Sequence, residues 1–158
     1  MDYIQLNKSN VLRLGIKTDE GKDTGEYLEF DLEDIELPMR YQTLLEEDKK
    51  NMQYLKSQLM IINKKQDHKG KKLMSSNEEA KIKVLNEYYK RETEVYNMFL
   101  GDNGVQKLLN GRKIGWTTLQ EIGEIIEKQI QPKLNINMES IEKKIKEKYK
   151  INKSDVIE

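Results

Sequence analysis

The sequence contains no cysteine, and it has only two prolines, one histidine and one tryptophan among its 158 residues. Without cysteine the chain forms neither disulfides nor thiolate metal sites. No window approaches the ~18 consecutive apolar residues of a membrane-spanning helix. The first residues, MDYIQLNKSN, also lack the basic stretch and apolar run of a secretion signal. We therefore expect a cytoplasmic protein without a membrane partner.

Charged residues are abundant, but neither sign is in excess. The 28 basic residues balance the 28 acidic ones, 35% of the residues are charged, and the mean hydropathy is -0.86. Because proteins that mainly bind nucleic acid usually carry a basic excess, we do not expect nucleic acid as the main partner. A chain of one domain's length with this composition favours a single layer of long helices over a thick globule.

Apolar and polar residues alternate near the N-terminus. The alternating stretches fall within residues 3–6, 11–16 and 27–32, and the polar segment TDEGKDTGE separates the last two. We predict two or three antiparallel strands joined by a polar hairpin loop. The acidic residues that follow can be interpreted as a cation site or as a solvated strand face. We favour the second interpretation because these acidic residues lack the spacing of a calcium loop. They are Glu29, Asp31, Glu33, Asp34 and Glu36.

Two long stretches have apolar residues at alternating steps of three and four, which is typical of paired helices. The first runs from about Leu37 to about Lys65 and the second from Asn77 to about Leu100, with a capping box at Ser76 and Glu79. A loop around Gly70 lets them fold back as an antiparallel helical hairpin. The predicted seams are Tyr41, Leu45, Met52, Leu55, Leu59 and Ile62 on the first helix and Ile82, Leu85, Tyr89, Tyr96 and Phe99 on the second.

Two acidic residues, Asp48 and Glu92, interrupt these seams at equal sequence distance from Gly70, so we expect them to face one another. Two facing carboxyl groups can form an acid/base pair of the kind used in hydrolysis. Alternatively, they lie at a splayed, water-exposed end of the hairpin that Arg40, Lys49 or Arg91 neutralises. The second interpretation is favoured, because the sequence indicates no pocket, no nearby histidine and no apolar surround.

The only histidine, His68, lies in the lysine-rich loop KKQDHKGKK. Such a run can contact phosphates of nucleic acid, but no aromatic residue lies among the lysines to stack on bases. A solvated loop tip is therefore the favoured interpretation.

Most of the chain's turn signals and its tryptophan lie between Phe99 and Ile130. We predict a turn at residues 101–104, a short helix with Val105, Leu108 and Leu109, and a stop at Asn110-Gly111, which tolerate left-handed backbone. A second helix then starts at a capping box of Thr118 and Glu121 and ends near Pro132. Trp116 is expected to be a core anchor that fastens this helix to the hairpin. The glycines lack the Gly-Lys-Ser/Thr ending of a phosphate-binding loop.

These elements predict a mainly α protein with a small N-terminal antiparallel β element, an α+β fold. We divide it into a small β-sheet over residues 1–34, a helical domain over residues 35–132 and a charged helical tail over residues 133–158. In the tail, Asn137 can cap a helix from Met138 to about Tyr149. We expect the tail to dock on a partner or a neighbouring subunit, or to be mobile.

The order of these segments is familiar: YLEFDLEDIELPMRYQTLLEE, a charged helical pair, then YNMFLGDNGVQKLLNGRKIGWTTLQEIGEIIEKQI. It resembles the tail assembly chaperones of long-tailed bacteriophages and phage-like particles of low-GC Gram-positive bacteria. The resemblance covers roughly Tyr27 to Ile130, and the lysine-rich loop and the charged tail depart from it. The residues at matching places, to which we add Trp116 as a structural hub, are Phe99, Gly101, Leu108, Leu109, Gly111, Leu119, Ile122 and Ile126.

The resemblance implies a non-enzymatic chaperone in the cytoplasm of a bacterial host, absent from the mature particle, with no cofactor and no metal. Its implied partners are the tape-measure protein and the tail-tube protein, and a second copy of the chain is a further candidate. The residues we expect to contact a partner are Met52, Tyr54, Leu59, Met60, Ile61 and Tyr88. Two alternatives remain open: a structural or scaffolding coiled-coil subunit of a phage-like particle, and a small nucleic-acid-binding regulator.

Overall fold

The computed structural model describes residues 1–6, 10–134 and 138–149. Two strands come first, β1 (Val11–Lys17) and β2 (Asp23–Asp31). Two long helices follow, α1 (Leu37–Asn63) and α2 (Ser76–Leu100), then the short α3 (Gly104–Leu109) and α4 (Trp116–Ile125). The predicted tail helix is α5 (Met138–Tyr149). The prediction of a mainly α fold with a small N-terminal antiparallel sheet is confirmed.

The sheet is a single antiparallel pair in which Leu14 lies opposite Leu28. A tight turn joins the strands, and in it the Thr18 N–H donates to the Lys22 carbonyl at 2.7 Å. The sequence predicted two or three strands. Residues 3–6 form no strand, so two strands are observed and the optional third is absent from the described residues. They have no described strand to pair with, and Tyr3, Ile4 and Leu6 are almost fully exposed.

Helices α1 and α2 form the predicted antiparallel hairpin, and of the predicted seam residues all but Leu45 and Ile82 are buried or pack against the core. On α1 the buried residues are Leu37, Leu44, Asn51, Leu55 and Ile62, while the predicted Leu45 is 52% exposed. On α2 they are Tyr88, Glu92, Tyr96, Phe99 and Leu100, while the predicted Ile82 is exposed. The buried faces include two polar residues: Glu92, the predicted interruption of the α2 seam, and Asn51, which the apolar pattern did not include.

The start of α2 also differs from the prediction. The Ser75 hydroxyl, not that of Ser76, caps the helix by accepting from the Glu78 N–H at 3.1 Å. The Ser76 hydroxyl accepts instead from the His68 N–H, which closes the loop. The Asn77 side chain donates to the carbonyls of Ile62 and Lys65 at the end of α1. These bonds tie the two helix ends together.

Between α2 and α4, α3 lies between two turns as predicted. Gly101 has φ +99°, and the Asn110-Gly111 stop is left-handed, with φ of 49° and 83°. The Asn97 side chain accepts from the Val105 N–H at 2.8 Å, so it fixes α3 to α2.

Helix α4 begins earlier than predicted. Its N-cap residue is Gly115, whose N–H donates to the Thr118 hydroxyl at 2.8 Å, so the predicted capping box of Thr118 and Glu121 is wrong. The Thr118 hydroxyl also lies within hydrogen-bond distance of the Gly115 carbonyl, at 3.0 Å. Beyond α4 the chain continues as a π-helical turn (Ile126–Ile130) and a 3₁₀ turn (Gln131–Lys133) that includes Pro132.

The sheet, the hairpin and the shorter helices α3 and α4 share one apolar core. Phe99 is at its centre, with ring centroids 5.6 Å from Phe30 of β2 and 5.5 Å from Tyr41 of α1. Leu109, Leu119, Ile122, Ile126 and Ile130 complete it from the C-terminal side. Of the predicted hub residues, Leu108 is only partly buried.

Gly104 is buried where α3 turns back against α2. A Cβ atom added there would lie 2.5 Å from the Cβ of Leu100, which cannot rotate away because it is fixed to its own backbone. We expect Gly104→Ala to lower the free energy of unfolding by about 1–3 kcal/mol through overpacking, measured by urea unfolding. Gly15→Ala is the matched control, since a Cβ at Gly15 meets nothing within 4 Å. Equal stability of the two variants would contradict the expected clash.

Trp116 is not the buried anchor that the sequence predicts. It is the first residue of α4, its side chain is 45% exposed, and one face of its ring stacks on Tyr88 at a centroid distance of 6.2 Å. Full burial is prevented because the ring lies at the exposed start of a helix.

We therefore expect Trp116→Ala to lower the free energy of unfolding by only about 1–2 kcal/mol, less than the ~3–5 kcal/mol of a fully buried aromatic residue. Trp116→Phe should lose less, since a smaller ring can keep the stack on Tyr88. Urea unfolding followed by far-UV circular dichroism measures both variants without tryptophan fluorescence. A loss above ~3 kcal/mol for the alanine variant would show that the ring is buried in solution.

Candidate functional site

A cavity of about 500 Å³ lies between the hairpin and the segment formed by α4 and the π-helical turn. This volume is within the range of small-molecule sites. Its apolar walls include Leu44 and Met52 of α1, Leu119 of α4 and Ile126 of the π-helical turn. This cavity could not be predicted from the sequence, because it exists only where α4 crosses the face of the hairpin.

The cavity contains the facing carboxyl groups that the sequence pattern predicted. Glu92 is 0% exposed, and its Oε1 accepts a hydrogen bond of 2.8 Å from the buried Asn51 side chain. Glu92 Oε2 has no donor among the described residues. Glu92 faces Asp48 across the hairpin, close enough for the charge of Asp48 to raise the pKa of Glu92. The two residues therefore face one another, as expected from their positions around Gly70.

The environment of the pair contradicts the favoured interpretation. A splayed, water-exposed end would leave Glu92 solvated, whereas α4 and the hairpin enclose it completely. None of the cations expected to neutralise the pair lines the cavity. Instead Arg40 pairs with Asp34 and Glu36, and Arg91 pairs with Glu87. The structure thus supplies the pocket and the apolar surround that the sequence did not indicate.

Burial changes the protonation of the pair. Desolvation, followed by the hydrogen bond and the charge of Asp48, raises the pKa of Glu92 to about 8, against the lowering effect of the Asn51 hydrogen bond. At neutral pH Glu92 is therefore mainly protonated. Its Oε1 accepts from Asn51 and its Oε2 has no donor among the described residues, so the proton is placed on Oε2.

Three tyrosines line the same cavity. Desolvation raises the pKa of Tyr88 and of Tyr96, and the nearby carboxyl groups of Glu92 and Asp48 raise both further. Desolvation and then the charge of Glu127 raise the pKa of Tyr41. These phenols stay neutral at physiological pH, so they supply aromatic walls and hydroxyl groups but no negative charge.

The rim of the cavity is acidic as well. Glu124 and Glu127 line it from the C-terminal segment, their side chains are exposed, and neither forms an ion pair with a described residue. Within the described ranges, no group of three or more histidine or acidic residues is arranged to hold a metal ion. The described residues that line the cavity include no histidine, and the groups there that can donate or accept a proton include its carboxyl groups and phenols.

The acidic residues around the end of β2 do not converge on one point. The Arg40 side chain donates to the Asp34 carboxylate, and this bond, together with the Glu36 N–H, lowers the pKa of Asp34. Glu33 accepts from the Asn10 side chain at 2.8 Å, and Glu29 pairs with Arg13 at 3.5 Å. This segment is thus a solvated strand face that runs into a helix start.

The predicted partner residues do not form one surface. Met60 and Ile61 are 60% and 50% exposed near the end of α1, whereas Met52 and Leu59 are partly buried against the core. The Tyr54 ring is covered by the Arg91 guanidinium at 3.9 Å. Tyr88 is only 1% exposed, so it offers no contact surface to a partner. That Tyr88 belongs to the core could not be predicted from the sequence alone, because it depends on the register of the two hairpin helices.

Within the described residues, no helix has the length and apolar character needed to cross a membrane. Comparison of the chain with models of known protein families, with curated protein sequences and with solved structures gives no match.

Proposed function

We propose that this protein is a non-enzymatic tail assembly chaperone of a bacteriophage or phage-like particle, which binds the tape-measure protein and helps to recruit tail-tube subunits. The proposal starts from the sequence resemblance between Tyr27 and Ile130. A chaperone of this kind has to offer apolar contacts to a long helical partner while it stays folded without it.

The observation that carries the proposal is the set of exposed apolar side chains at the closed end of the hairpin. Leu73 in the loop is 92% exposed, and Met60, Ile61 and Ile82 on the adjoining helix turns are 42–60% exposed. The bonds from Asn77 to the end of α1 hold these turns together. Methionine adapts to partners of imperfect fit, and these exposed apolar side chains are the contacts that the hairpin end can offer to an apolar helix.

Co-expression with the tape-measure protein of the same phage or particle tests the proposal. The soluble fraction of the tape-measure protein should rise several-fold when this chain is present. Met60→Asp combined with Ile61→Asp should remove most of that gain, because it places two charges in the apolar surface. Gln53→Asp, an exposed position on the same helix, is the matched control and should keep the gain.

The possible outcomes test the chaperone role and the contact surface at the hairpin end separately. If the wild-type chain does not increase the solubility of the tape-measure protein, the proposed role fails. If the double variant works as well as the control, the hairpin end is not the contact surface. Detection of the chain in purified mature particles by mass spectrometry would favour the scaffolding-subunit alternative instead.

A further inference from the structure

The cavity between the hairpin and α4 has charge of only one sign. Four carboxyl groups line it, those of Asp48 and Glu92 inside and those of Glu124 and Glu127 at the rim, and none of the described residues in the lining is a lysine, arginine or histidine. In a partly enclosed site such charges are screened less than on an open surface. The cavity therefore attracts a cation.

Glu92 gives this attraction a specific target. Its side chain is fully buried, it lines the cavity, and its Oε2 is the one buried side-chain oxygen or nitrogen in the described part of the chain that lacks a hydrogen-bond partner. An orphaned carboxylate oxygen of this kind accepts either a proton or the N–H of a cationic group. We propose that the cavity binds an alkylammonium or alkylguanidinium group, with Glu92 and Asp48 as its counter-ions.

The walls select an organic cation over a metal ion. The carboxyl groups are not arranged as a metal-binding cluster in the described residues. Met52, Leu119 and Ile126 can instead cover an aliphatic stem, and the partly exposed ring of Tyr41 can contact the cationic head. Tyr96 is close to Gly123 of α4, where an added Cβ would lie 3.4 Å from its hydroxyl oxygen. The absence of a side chain at Gly123 thus keeps this part of the cavity open.

Binding of the cation releases the proton of Glu92. Without a ligand Glu92 retains its proton at neutral pH, and the groups that face it, Glu124, Glu127 and the three tyrosines, carry no positive charge that could replace this proton. Because Glu92 is fully buried, α4 has to move aside for an ammonium group to enter. The N–H of this group then donates to Glu92 Oε2, and the displaced proton leaves to solvent. The positive charge of the ligand replaces that of the proton, so the net charge of the pair with its occupant does not change.

Isothermal titration calorimetry of the full chain with 1,5-diaminopentane tests this proposal, at pH 7 and 150 mM salt. We expect saturable binding, whose apparent enthalpy differs between phosphate and Tris buffers because a proton is released. Asp48→Asn combined with Glu92→Gln keeps the shape of both side chains and should weaken binding at least tenfold. Glu121→Gln, on α4 but outside the cavity lining, should bind as the wild type does, and 1-pentanol should not bind.

A second arm distinguishes the source of the cation. Binding of Nα-acetyl-lysine methylamide with similar affinity supports a lysine side chain of a partner protein as the occupant. Binding of the diamine alone supports a free amine. If neither probe binds, or if the Asp48 and Glu92 substitutions leave binding unchanged, the proposal is overturned. None of these outcomes depends on the tail assembly role.

Discussion

Replacing Phe99 by alanine should lower the free energy of unfolding by about 3–5 kcal/mol, as expected for removal of a fully buried aromatic side chain. Phe99 is 3% exposed, and its ring joins β2, α1 and α2 through Phe30 and Tyr41. No other described residue can fill the space, because the surrounding core residues are already packed around it. For a chain of this size the thermal midpoint should fall by roughly 10 °C.

Urea unfolding of Phe99→Ala and of Met98→Ala tests this expectation. Met98 precedes Phe99 on α2 and is 42% exposed, so its substitution should change stability by less than about 1 kcal/mol. If Phe99→Ala were no more destabilising than Met98→Ala, the sheet and the hairpin would not share one core in solution. If hydrogen exchange showed that Phe99→Ala lowers protection only for the amides of the β-sheet, the sheet and the helical hairpin would be independently stable, with Phe99 between them.

Helix lengths and the order of elements could be predicted from the sequence because they depend on local signals. The periodicity of apolar residues gave α1, α2 and α5 to within about two residues, and Asn110-Gly111 marked the end of α3 through its left-handed backbone. These signals act within a few residues, and no distant contact was needed to interpret them.

The register of the hairpin could not be predicted in the same way. Asn51 is buried because it donates to Glu92, 41 residues further along the chain. The apolar pattern leaves out polar residues such as Asn51, which share the buried face. It therefore assigned Leu45 to the seam in place of the buried Leu44. The choice of Ser75 over Ser76 as the cap of α2 has a similar cause. Either hydroxyl could cap the helix, and the contacts of Ser76 with His68 and Asp67 decide between them.

The cavity was missed for a related physical reason. The sequence placed Asp48 and Glu92 opposite one another, but it did not show which face of the hairpin α4 covers. That depends on where the apolar face of α4, with Leu119, Ile122 and Ile126, finds its complement. Burial of a carboxyl group is a property of the assembled layers, and it changes the pair from a solvated end into a protonated site.

Replacing Glu92 by glutamine should therefore change the pH dependence of stability. Burial raises the pKa of Glu92 from its ordinary value of 4.5 to about 8 in the folded protein. Between these values the unfolded chain has lost the proton and the folded chain retains it, so the unfolding free energy falls as pH rises. The decrease begins near pH 4.5, ends above pH 8 and amounts to something on the order of 4 kcal/mol.

Glutamine cannot ionise, yet its amide can still donate to Asp48 and its carbonyl can accept from Asn51. We expect Glu92→Gln to match the wild type within about 1 kcal/mol at pH 5 and to be more stable by a few kcal/mol at pH 8.5, as measured by urea unfolding. Other titrations are common to both proteins and cancel in the difference. Glu94→Gln, an exposed position on the same helix, should keep the wild-type slope. If Glu92→Gln also kept that slope, Glu92 would be ionised in the folded protein at neutral pH, and the cavity would be open to water.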